Sequence, residues 1–147
     1  MRDLHNNIDV RPATNPYDHA TGDAVITTET VDLQGYDSAE LVFSYGSIAD
    51  ADVSFTAIMY EGEETDMSDE AAVDDVDLLG TEANFIPLFS DDNKVYKIGY
   101  TGGMRYIRCK ITPADNTGAI LVSGVWVLGH PEDAPTTNPP PNPTAPS

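Results

Sequence analysis

The sequence predicts an all-β fold: a single antiparallel β-sandwich or barrel, jelly-roll-like, with an extended N-terminal arm and a proline-rich C-terminal tail. Three observations lead to it. Between the two ends, apolar residues recur with a period of two; the segments that carry this period are rich in β-branched and aromatic residues; and Gly, Pro, Asn or Asp bounds each of them. A chain of 147 residues favours one domain and buries roughly two-thirds of its unfolded surface around one core.

Residues 1–22 read as the arm. Pro12, Pro16 and Gly22 punctuate it, only Leu4, Ile8, Val10 and Tyr17 offer apolar surface, and a short edge strand is expected at Ile8 to Arg11. The sandwich body spans 23–131. Its first strand is expected within Val25 to Leu33. Next, Leu41, Phe43 and Tyr45 alternate with Glu40, Val42 and Ser44, and Val53, Phe55, Ala57 and Met59 alternate with Ser54, Thr56, Ile58 and Tyr60. Asp66 to Leu79 is ambiguous: Ser68 before Asp69 and Glu70 predicts a capped helix of one or two turns at most. Val95 to Tyr100 and Arg105 to Thr112 are the following strands, with Gly102 and Gly103 turning the chain between them. Pro113 and the Asn116–Gly118 turn lead to the last strand, Ile120 to Leu128. That strand is apolar on both faces around Ser123 and Gly124, which predicts a central position with Trp126 in the core. Residues 132–147 form the tail. From Ala134 it is proline-rich, with no charged or large apolar side chain, and so reads as a polyproline-like strap outside the core.

Twenty-five acidic residues against seven basic ones give a formal charge of −18. A surface so negative repels phosphate backbones and anionic headgroups, so neither nucleic acid nor a membrane is an expected partner. Cys109 is the only cysteine, so no intramolecular disulfide can form, which points to assembly in a reducing cytoplasm. The opening MRDLHNNIDV lacks the apolar run of a signal peptide, and no stretch approaches the roughly eighteen apolar residues of a membrane helix.

No constellation predicts a catalytic, cofactor-binding or metal site. His5, His19 and His130 have none of the HxH, HxxxH or HExxH spacings. Ser123 lies in VSGV without the preceding glycine of a nucleophile elbow. Asp74, Asp75 and Asp77, and Asp91 with Asp92, lack the spacing and terminal glutamate of a calcium loop and read as solvated acids. The seven tyrosines and Trp126 could line a sugar platform, but aromatics at strand spacing read first as core.

Charge is segregated along the chain. Fourteen acids and no base lie between Asp50 and Asp92, whereas Lys94, Lys97, Arg105, Arg108 and Lys110 fall in a stretch without an acid. If the two basic strands pair, they present a positive patch to an acidic partner or neighbouring copy; otherwise the bases neutralise acidic loops of their own subunit.

The phrases MRDLHNNIDVRPA, LQGYDSAELVF, IADADVSF, AAVDDVDLLGTE, KIGY, RYIRCKITPADNTG and LGHPEDAPTTNPP resemble a family of small virion proteins of tailed phages and prophages, encoded among the head genes. The likeness extends from Met1 to about Pro140. It implies a non-enzymatic virion structural protein, similar to the capsid decoration or cement proteins that coat the shell after the major capsid protein has assembled. It implies location on the capsid surface after synthesis in the host cytoplasm. The expected partners are the major capsid protein and neighbouring copies of the chain, as a symmetric homo-oligomer such as a trimer around local threefold positions. Alternative readings are a neck or tail protein, or a β-sandwich glycan-binding module. The residues expected at the partner interface are Leu4, Ile8 and Val10 of the arm and the bases Lys94, Lys97, Arg105 and Arg108.

Overall fold

Strict alternation buries one side of a strand and wets the other, so two sheets must face each other to make a core. In the computed structural model, which describes residues 3–19 and 22–136, the strands in chain order are β1 (Ile8–His19), β2 (Ile26–Thr27), β3 (Val31–Asp32), β4 (Tyr36–Ile48), β5 (Ser54–Gly62), β6 (Ala71–Ala72), β7 (Leu78–Leu79), β8 (Val95–Tyr100), β9 (Tyr106–Ala114) and β10 (Ile120–Pro131). Sheet A runs β1–β10–β4–β8–β7. Sheet B runs β2–β9–β5–β6, with β3 beside β2 along the same flank of β9. All pairings are antiparallel. The chain repeatedly crosses from one sheet to the other, and its first and last strands lie side by side in sheet A. That is the strand order of a jelly roll, in agreement with the predicted class.

The core is built from the inward rows. Leu41, Phe43 and Tyr45 of β4 and Val122, Trp126 and Leu128 of β10 meet Phe55, Ala57 and Met59 of β5 and Ile107, Cys109 and Ile111 of β9. Each large side chain buried there contributes about 1.5–3 kcal/mol. Trp126 is fully buried, as its sequence context predicts, and its indole N–H donates to the Glu29 carbonyl at 3.1 Å. The glycine inside the last strand also has a packing reason: the Phe43 ring lies against Gly124, where a Cβ would collide with it. Where β2 and β3 are interrupted, the Glu29 amide leaves sheet B and donates to the Ala13 carbonyl of β1 at 2.8 Å, closing one corner of the sandwich.

Several local expectations are corrected. The strand expected at Ile8 to Arg11 continues to His19, with register shifts on either side of Thr14. Most of the presumed arm of residues 1–22 is therefore an edge strand of sheet A, the one place where Pro12 and Pro16 cost little of the ladder. The helix expected from Ser68 is absent: the Ser68 amide donates to Asp66 Oδ1, and the stretch holds β6, a single 3-10 turn at Asp75–Asp77 and β7. The α-helical turn lies beyond it at Glu82–Phe85, where the Thr81 hydroxyl caps the Asn84 amide at 3.1 Å. Pro113 sits inside β9, and the Asn116–Gly118 turn carries the chain from sheet B to sheet A instead of closing a hairpin. The tail, 132–147, falls outside the described residues from 137 onward. Its first residues return to the start of β1, where the Thr136 amide donates to the Asn6 carbonyl at 2.9 Å.

Candidate interaction surface

The five clustered bases do not form one patch. β8 and β9 belong to different sheets, so the pairing on which a joint positive surface depended is not made. Arg105 makes a two-pronged contact with Asp32, both arms at 2.9 Å, and also reaches Gln34. Arg108 and Lys110 share the Glu70 carboxylate, each ion pair at 2.6 Å, and Lys110 lies over the Tyr60 ring. Lys94 pairs with Asp91 at 2.9 Å. The carboxyl groups record these contacts. The Arg105 hydrogen bond holds Asp32 below its ordinary value. Burial works against ionisation of Glu70, but hydrogen bonds from Lys110 and Arg108 outweigh it and keep this carboxyl low as well. Lys94 and the Leu88 amide hold Asp91 at about 2.

Lys97 is the exception. It is exposed on β8 and takes part in none of the ion pairs among the described residues. Its side lies on the outer face of sheet A, and the register shows what surrounds it. One cross-strand row reads Pro12, Val125, Val42, Lys97; the adjacent row reads Val10, Val127, Glu40, Gly99, Leu79; the next reads Ser123, Ser44, Val95. Val10, Leu121, Val125, Leu79 and Val95 are 37, 42, 44, 56 and 64% exposed. Among the described residues, these three rows, with one acid and one base between them, thus lie open on a molecule of charge −18. Glu40 leans over Gly99, where a Cβ would meet its carboxylate at 2.6 Å and Leu79 Cβ at 3.0 Å. Burial raises the Glu40 carboxyl above its usual range, and the charge of Lys97 only partly offsets this.

Of the residues expected at an interface, the structure brings Ile8, Val10 and Lys97 to this one face: Ile8 and Val10 share a side of β1, and Lys97 stands across the sheet from them. Leu4 is 61% exposed just before the 3-10 turn at His5–Asn7. Lys94, Arg105 and Arg108 are elsewhere and already ion-paired. Sequence reasoning missed Val42, Val95, Leu121, Val125 and Val127. Their signal was present in β10, whose apolarity on both faces pointed to a central strand. β10 is central within its sheet, between β1 and β4, yet among the described residues only its Trp126 side is covered.

The groups that could carry chemistry are engaged otherwise. Burial pushes the Cys109 thiol up to about 12, far from the thiolate a nucleophile needs. Asp66 and Asp69 accept amides of their own loop, from Ser68 and from Glu63 and Glu64, and Asp92 accepts the Ile48 amide. His130 Nδ1 lies 2.8 Å from the Ser38 hydroxyl. Among the described residues, no three His, Cys, Asp or Glu side chains converge as a metal site would require.

No family model matches the chain, and no curated protein does. Among solved structures it is similar to a chain in the structure of infectious bursal disease virus Gx strain, with 15% sequence identity and a TM-score of 0.45. The similarity covers 82% of this chain and 31% of that one, so the present chain spans less than a third of its neighbour's length.

Proposed function

We propose that the chain is a non-enzymatic structural protein of a phage virion, a decoration or cement protein that adheres to the head shell formed by the major capsid protein. The observation that carries this reading is the apolar outer face of sheet A, where Val10, Val125, Val95 and Leu79 stand exposed across the strands with one acid and one base among the rows around them. A protein that pairs most of its described bases with its own acids and turns apolar side chains outward on one flat face is suited to assembly by contact between neighbouring surfaces. Covering such surface favours association only by what remains after the entropy of binding, but copies linked to one another add their weak contacts on one shell through multivalency. The jelly-roll order is compatible with this role, since viral capsid domains share it with lectin domains, although a fold alone does not assign a function. The resemblance of the sequence phrases to virion proteins encoded among head genes points the same way.

The test is the copy number in purified particles, read from a stained gel against the major capsid protein. A ratio near one copy per capsid subunit, or a simple fraction of it, is expected. A handful of copies per particle would move the protein to the neck or tail, and its absence from particles would end the reading.

A further inference from the structure

We infer that the outer face of sheet A is a self-association surface, on which a second copy of this chain packs face to face about a two-fold axis. The first argument is charge. Two bodies of −18 repel one another wherever acids dominate, but the three rows through Lys97, Glu40 and Val95 carry one acid, Glu40, and one base, Lys97, among valines, Leu79, Gly99, Pro12 and serines. This is where two copies can touch without opposing like charges.

The second argument is self-complementarity. An isologous contact requires a patch that matches itself under a half-turn. In the register of sheet A, Val42 sits opposite Lys97 on one side and Val125 on the other, while Glu40 is two residues along β4. With strands ~4.8 Å apart and residues rising ~3.4 Å, the in-plane axis that exchanges Glu40 with Lys97 runs oblique to the strands and passes midway between Val42 and Val125. The same axis brings Val127 of one copy over Val95 of the other and Pro12 over Ser123. One placement therefore satisfies both charges twice and buries the exposed valines at the centre. Its geometry is that of one sandwich sheet packing on another.

The third argument is size. Four strands over about seven residues cover roughly 19 by 24 Å, on the order of 450 Å² per copy. The two copies together then bury on the order of 1,000 Å², the lower end of specific interfaces. The pairing is accordingly reversible, as expected of contacts at this end of the size range. It also sets the symmetry at two-fold, where the sequence reading expects a threefold assembly.

The experiment uses the full chain in free solution, with sedimentation velocity over a concentration series at low and moderate salt. A monomer–dimer equilibrium is expected. Val125→Lys places two like charges beside the axis and abolishes it, with Trp126 fluorescence unchanged as the check on folding. Glu40→Lys and Lys97→Glu each weaken dimerisation about tenfold, and the double swap returns it to within about threefold of the wild type. A monomer at every concentration overturns the inference, as does a dimer indifferent to Val125→Lys and to the single reversals. If the chain is monomeric but Val125→Lys abolishes cosedimentation with purified shells, the face belongs to the shell. That outcome overturns self-association and leaves the virion reading standing, while dimerisation of a protein absent from particles does the reverse.

Discussion

On the outer side of sheet B, Arg108 and Lys110 of β9 stand beside Tyr60 and Ile58 of β5, and Glu70 reaches across to hold both bases. On the outer side of sheet A, the corresponding positions of β10 and β4 hold valines, and the sole base has no ion pair among the described residues. Both faces come from strands with the same alternation, yet one is closed by its own loop and the other is left open. Whether a strand face is available to a partner therefore depends on what the connecting segments do with it. The long acidic excursion after β5 folds back over sheet B through Asp69, which accepts the amides of Glu63 and Glu64 and so positions Glu70. No described segment crosses the centre of sheet A in that manner.

The largest effect that probes this contrast lies on β10 itself. Trp126→Ala empties the core side and should cost about 3–5 kcal/mol, whereas Val125→Ser on the open side should change stability by less than about 0.5 kcal/mol. Urea titrations followed by circular dichroism measure both. A large loss at position 125 in dilute monomer would mean that the open face is structural after all.

A smaller effect separates the bases. Glu70→Ala unpairs Arg108 and Lys110 together and should cost about 1 kcal/mol, since the pairs are partly exposed, while Lys97→Ala should be silent in the monomer. The same urea titrations decide this, and equal losses at the two sites would erase the distinction between the faces.

Acid titration gives the finest contrast because the two faces carry opposite signs. The Glu70 carboxyl is held below its unfolded value of 4.5, so the stability it lends is present above that value and is lost as pH falls through its lower folded value. Glu40 is raised above 4.5, so the folded state takes up its proton first and its contribution rises as pH falls through that raised value. In urea midpoints, Glu70→Gln should therefore destabilise at pH 7, with the deficit shrinking in acid below about pH 4.5. Glu40→Gln should be neutral or slightly stabilising at pH 7, with any gain shrinking as wild-type Glu40 protonates.

Much of this architecture could be read from the chain, and the misses have physical causes. Period-two patterning located β4, β5, β8, β9 and β10, because burial on one side leaves its mark residue by residue. The strand in residues 8–19 was largely hidden by Pro12 and Pro16, which disqualify a central strand but not an edge. The fate of the bases was hidden for a different reason. Lys97 and Arg105 are eight positions apart, but the Gly102–Gly103 loop carries the chain from one sheet to the other between them. Their carboxylate partners, or lack of them, are set by contacts far away in sequence, as Arg105 with Asp32 shows. The open face was half visible: β10 announced two apolar sides, but the sequence could not say that only one would be covered.

The adjacency of β1 and β10 in sheet A also bears on the order of events during synthesis. β10 is the strand that joins β1 to β4, so those two early strands have no ladder between them until Ile120–Pro131, which begins 72 positions after Ile48 ends β4, has been translated. The β4–β8–β7 half of sheet A can pair as it emerges, but β1 can join it only when β10 arrives between them, a high-contact-order step that is intrinsically slow. Until then the β10-facing edge of β4 has no strand beside it, and the dense negative charge of the chain opposes pairing of that edge with other unfinished copies.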